Sequence, residues 1–110
     1  MIYQHQDLAA GRWAKMPFVE QMANIGSEVE RALTWRTKQR EDFCQRAFER
    51  ALELIDLSLA SGSGFSRRRE LARVREAFSE YLVGDNRYQF TEDAWRQYFS
   101  GFFYAARKSR

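Results

Sequence analysis

The chain has 110 residues, 45% of them hydrophobic, 15% aromatic and 30% charged, with a formal net charge of +3. A single cysteine excludes an internal disulfide, and one proline with few β-branched residues argues against a sheet protein. No apolar run approaches the roughly 20 residues of a membrane span, and no basic region followed by an apolar block opens the chain, so we expect neither a membrane segment nor a signal peptide.

Residues 1–16 read as a short N-terminal arm, followed by one helical domain over 17–110. Asp7 can cap a short helix over Leu8 to Ala10, Gly11 weakens it, and Trp13 is expected to lie against the body; alternatively the arm reaches a second subunit. Pro17 suits a helix start. Phe18, Met22, Ile25, Val29 and Leu33 then recur in steps of four and three, close to a heptad seam. Gly26, on a ridge of small residues with Val19 and Ala23, marks a close helix crossing. This helix should end between residues 35 and 38. A second helix is predicted over 41–59, with a wide apolar face of Phe43, Ala47, Phe48, Ala51, Leu52, Leu54, Ile55 and Leu59 that suits a central position. The SGSGFS stretch, 61–66, is a turn, with Ser66 as cap for a third helix over 67–82. Leu71, Val74, Phe78, Tyr81 and Leu82 line one side of it, and Gly84 stops it.

The final helix, over 91–107, carries Trp95, Tyr98, Phe99, Phe102, Ala105 and Ala106 at helical spacing. Thr91 is its cap, Glu92 and Asp93 complement the dipole, and Phe90 can staple onto Trp95. Four helices with short connections predict an all-α fold, a four-helix up-and-down antiparallel bundle with a short N-terminal arm.

Reactive side chains are scarce. His5 is the only histidine and lies in the arm, so we expect no catalytic residues of the Ser-His-Asp, Cys-His, di-iron or zinc type, and no phosphate-binding loop motif is present. Cys44 sits between apolar positions and reads as a packed thiol. Three groups remain as candidates. Glu53 and Asp56 share a helix face, and with Glu28 or Glu30 from the preceding helix they can supply oxygen ligands for Mg²⁺. The bland reading of Asp56 is a salt bridge, with Arg31 or Arg73 for example. Arg67, Arg68, Arg69 and Arg73, with Arg75, crowd the start of the third helix, where positive charge opposes the dipole. They suit phosphate or nucleic-acid contacts, or else a solvated face beside Glu70 and Glu76. Trp95, Phe99 and Phe103 are expected at an interface, because the aromatic surface of the last helix exceeds one face.

The segments FVEQMANIGSEVERALTWR and RAFERALELIDLSLA resemble those of a small family of uncharacterised all-helical prokaryotic proteins, over most of residues 18–107. That resemblance implies a helical bundle and no known activity. The Glu53-x-x-Asp56 element is similar to half the signature of the all-α nucleotide pyrophosphatases of the MazG and dimeric dUTPase type. Glu28-x-Glu30 departs from the upstream ExxE of that family by placing its carboxylates on different faces. The HEPN helical bundles offer a further comparison, but their R-x₄₋₆-H motif has no match here. The reading that emerges is a cytoplasmic, non-catalytic interaction protein without a cofactor. It is expected to be homodimeric and to act through an unidentified protein partner or a nucleic acid. The alternative is a Mg²⁺-dependent nucleotide pyrophosphohydrolase using Glu28, Glu53 and Asp56.

Overall fold

The computed structural model describes residues 6–62 and 64–108. Among them the secondary structure is entirely helical: α1 (Gln6–Lys15), α2 (Phe18–Thr37), α3 (Glu41–Ala60), α4 (Phe65–Val83) and α5 (Glu92–Lys108). No described helix is long and apolar enough to cross a membrane.

The first departure from the sequence reading is α1. A helix over 6–15 replaces the loose arm, and Trp13 is part of the core. Gly11 still weakens it by about 1 kcal/mol relative to alanine, but tertiary contacts outweigh that loss. The Trp13 indole N–H donates to Ser58 Oγ of α3 at 2.7 Å. Gln21 Nε2 donates to the carbonyls of Trp13 (2.9 Å) and Met16 (3.2 Å), closing the C-terminal end of α1 with a side chain from α2. The first part of the arm, with Tyr3 and His5, lies outside the described residues.

Helix α2 forms where the seam predicts it, and Met22, Ile25, Val29 and Leu33 are buried. It lies between α3 and α5. Along α5 the paired residues run in opposite senses: Thr37 Oγ1 donates to Glu92 Oε1 at 2.9 Å, Arg96 Nε pairs with Glu30 Oε2 at 2.9 Å, and Phe102 meets Phe18 edge-on. Gly26 does mark a close crossing. A Cβ there would stand 2.7 Å from Phe99 Cδ1 and 2.9 Å from Phe103 Cζ.

Helix α3 takes the central position its wide face suggests, touching α1, α2 and α4. Helix α4 begins at Phe65 with Gly64 as its N-cap and no capping side chain, so Ser66 falls inside the first turn instead of capping it. Arg68, one of the arginines that oppose the α4 dipole, has an explanation in the partner helix. Helix α3 carries no basic residue in its last turn, and Arg68 Nη1 reaches across to donate to the Leu59 carbonyl at 2.6 Å. The start of α4 thereby supplies the positive charge that the end of α3 lacks. Arg67 lies over the Phe18 ring at 5.0 Å. In α5, Thr91 caps as expected, accepting from Ala94 N–H at 3.0 Å, and Phe90 packs on Trp95 with ring centroids 4.9 Å apart.

The α2–α3 turn yields a first prediction. Gln39 N–H donates to the Arg36 carbonyl and Arg40 N–H to that of Trp35, a Schellman arrangement that leaves Gln39 at φ 60°. A side chain in the left-handed region is disfavoured by about 1–2 kcal/mol. Gln39→Gly should therefore raise the unfolding free energy by up to about 1 kcal/mol, after the larger backbone entropy of glycine in the unfolded chain is subtracted. Urea denaturation with an unchanged m-value measures it.

Candidate recognition cleft between α4 and α5

The outer face of α4 places Glu70, Arg73, Val74 and Ala77 at helical spacing, with Glu76 alongside. Facing them are Ala94, Trp95 and Tyr98 of α5. Between the helices, Tyr88 and Phe90 from the connecting segment close one end of a cleft of about 630 Å³. The helices are held together underneath it: Phe78 of α4 meets the Trp95 ring edge-on at 5.2 Å, and Tyr81 lies 6.2 Å from Trp95.

The connecting segment is tightly organised by two side chains. Asn86, at φ 51°, is a residue type that tolerates the left-handed region. Its side-chain Nδ2 donates to the Phe90 carbonyl at 2.9 Å, and its Oδ1 accepts from Phe90 N–H at 3.1 Å. Glu80, at the end of α4, accepts from the N–H groups of Asp85 (3.2 Å) and Arg87 (3.3 Å). Tyr88 and Phe90 are thus fixed by backbone bonds on both sides, while their rings stay exposed at 46% and 37%.

The carboxylates of the cleft are also positioned. The Tyr98 hydroxyl donates to Glu70 Oε2, and the Tyr88 hydroxyl donates to Glu76 Oε1 at 2.9 Å. Burial, and then the Glu70 carboxylate, push the Tyr98 phenol far above its ordinary value, against a smaller opposing pull from Arg73. The Glu76 bond raises Tyr88 as well. Each carboxylate keeps acceptor sites beyond the one its tyrosine uses. Arg73 makes no salt bridge among the described residues. The indole N–H of Trp95 is buried without an acceptor among them.

The Tyr98–Glu70 pair predicts an alkaline signature. Because the folded phenol holds its proton more tightly than the unfolded one, its contribution is complete below a pH of about 10 and declines as the pH rises beyond it and only the unfolded chain ionises. Stability should fall along the alkaline limb, and Tyr98→Phe should flatten that fall. Denaturation midpoints recorded from neutral to strongly alkaline pH measure both limbs.

The residues singled out in the sequence have other surroundings. Among the described residues no group of three histidine, cysteine or acidic side chains is placed to hold a metal ion. Asp56 is bonded by Arg75, Nε to Oδ1 at 2.9 Å, and not by Arg31 or Arg73. Glu28 pairs with Arg31 and Glu30 with Arg96. Glu53 is elsewhere on α3, where burial raises its carboxyl above the usual range. Arg67 and Arg68 make the contacts described above, Arg73 faces the cleft, and Arg69 is exposed.

The residues expected at an interface pack largely within the chain. Trp95 and Phe99 are 3% and 1% exposed, inside the core of the chain itself, and Phe103 is half-buried over Gly26. Their stripe packs against α2 and α4. Cys44 is half-buried beside Phe48 and Leu82 in another cleft of about 520 Å³, and burial pushes its thiol up, away from thiolate reactivity.

Sequence reasoning passed over Tyr88, Phe90, Glu70 and Glu76 as site residues. One signal was there: Tyr88, an aromatic residue in a polar connector where no helix face requires it. Comparison of the chain with protein-family models, with curated proteins and with solved structures finds no match.

Proposed function

We propose that this chain is a non-catalytic interaction protein and that its recognition surface is the cleft between α4 and α5. One observation carries the reading: Tyr88 and Phe90 are exposed, yet the Asn86 and Glu80 bonds hold them in a fixed pose over that cleft. Aromatic rings with few rotatable bonds, held rigid and only partly covered, are what binding surfaces use to gain contact area at low entropic cost. The scaffold under this reading is the four-helix up-and-down antiparallel bundle of α2 to α5, with α1 strapped across α3. The resemblance to small all-helical prokaryotic proteins fits that scaffold and adds no activity. A cytoplasmic location goes with the proposal, on the strength of the single cysteine.

The test is a photo-crosslinking amino acid placed at Tyr88 and, separately, at Glu49 on the exposed side of α3, in cells producing the protein. The interaction reading expects one discrete protein adduct from position 88 and none from position 49. Equal labelling from the two positions, or none from either, removes it. The homodimer is carried as part of the same proposal. With Trp95 and Phe99 in the core, the exposed ring left on α5 for such a contact is Tyr104. Sedimentation at micromolar concentration decides it: a single monomeric species excludes the dimer.

A further inference from the structure

The chemistry of the cleft points to its occupant. We infer that the cleft receives an arginine side chain projected by a partner protein, an inference that rests on the interaction reading and specifies its partner. The chain as a whole is basic, with a formal charge of +3. The cleft reverses that sign: two carboxylates, Glu70 and Glu76, line it against the one guanidinium of Arg73.

Aromatic side chains line the cleft alongside the acids. Tyr88, Phe90, Trp95 and Tyr98 all line the cleft. A cation over such faces is attracted by the ring quadrupole, more strongly where water is displaced. Of the two biological side chains that carry a fixed positive charge, guanidinium fits better. It is flat and can stack on a ring, it is weakly hydrated, and its fork of N–H donors can serve two carboxylates at once. The carboxylates are already held in place. Tyr98 holds Glu70 and Tyr88 holds Glu76, so neither acid has to be ordered at the moment of binding.

Trp95 supplies a reporter in the wall of the cleft. Its indole N–H is buried and lacks an acceptor, although Trp95 lines the cleft. A peptide segment carrying the arginine is the occupant we infer. Arg73 stands among the lining residues as a like charge. It weakens the binding of any cation, and this assigns it an opposite expected effect from the two acids.

The experiment follows the indole resonances of the full chain in ¹H–¹⁵N NMR spectra during titration with capped tripeptides of the form Gly-X-Gly. The peptide with X = Arg should move the Trp95 indole signal saturably, and X = Lys should do so several-fold more weakly. The Trp13 indole, bonded to Ser58 away from the cleft, should stay in place. Norleucine and glutamate at X should have no effect. Glu70→Gln with Glu76→Gln keeps both tyrosine hydrogen bonds available and should weaken the arginine peptide by about tenfold or more. Arg73→Gln should tighten it.

Three results overturn the inference. Equal binding of norleucine makes the cleft an apolar site, and preference for glutamate with loss in Arg73→Gln makes it an anion site. In both cases the interaction reading survives on its own crosslinking test. No shift with any peptide up to about 10 mM, where even a free energy near 3 kcal/mol would register, ends the arginine proposal. If crosslinking at position 88 also fails, the interaction reading ends with it.

Discussion

Phe78→Ala should lower the unfolding free energy by about 3–5 kcal/mol, the range for deleting a fully buried aromatic ring. Phe78 has no exposed surface. Its ring lies 5.9 Å from Phe48 of α3 and 5.2 Å from Trp95 of α5, and it stacks on Tyr81 at 6.5 Å. Because these neighbours belong to three helices, none can move into the void without dragging its own backbone, so the cavity stays open. For a domain whose whole stability is of the order of 5–15 kcal/mol, that loss leaves a marginal fold. Phe65→Ala is the matched control. Its ring is 79% exposed at the start of α4, and its removal should change stability by no more than about 0.5 kcal/mol. Urea denaturation of the two variants side by side reads both numbers. Similar losses at the two positions would mean that the core is not where the structure places it.

Gly26→Ala has the second largest expected effect, and its sign is the informative part. Helix propensity alone favours alanine by about 1 kcal/mol. A Cβ at this position, however, falls 2.7 Å from Cδ1 and 2.9 Å from Cγ of Phe99. These atoms belong to the body of a buried ring and not to the tip of a flexible chain. Phe99 is wedged against Trp95, Tyr98 and Phe102, so accommodating the methyl means moving α5 away from α2. Overpacking of this kind is destabilising by about 1–3 kcal/mol. We expect a net loss within that range. A gain would show that the α2–α5 crossing is looser than these distances imply. Gly26→Ala with Phe99→Leu should recover part of the loss, since the smaller side chain removes the atoms that clash.

How much of this was legible in the sequence depended on whether the signal was periodic. The seam from Phe18 to Leu33, the wide face of α3 and the Thr91 cap with its Phe90 staple each rest on local spacing, and local spacing survives folding. Gly26 was readable for a related reason: it falls on a ridge of small residues beside the seam, where a second helix can come close. Helix α1 was not legible, because Gly11 speaks against it locally. What holds it is Ser58 and Gln21, two polar residues whose roles appear only once α2 and α3 are assembled. The arginines at the start of α4 looked misplaced for a related reason. One of them, Arg68, meets the carbonyl end of α3.

The candidate site was the least legible part. Aromatic spacing along α5 drew attention to Trp95 and Phe99, and the same spacing is what buries them. The cleft depends on residues without any period: an asparagine and a glutamate that fold the 84–90 connection back, and the two rings thereby left facing outward. Glu70 and Glu76 read as solvated neighbours of an arginine run. Only the arrangement of α4 against α5 reveals that they meet tyrosines.

Two surfaces of this molecule compete for the role of recognition surface, the aromatic cleft and the arginines at the start of α4. The most direct measurement uses the protein crosslinked from position 88, purified and titrated against three forms of the chain. The account predicts that Tyr88→Ala with Phe90→Ala weakens binding by about tenfold or more relative to the unaltered chain. Arg67→Ala with Arg69→Ala should stay within about twofold, as exposed charges at a rim do. The reverse order, with the arginines indispensable and the rings dispensable, would contradict it.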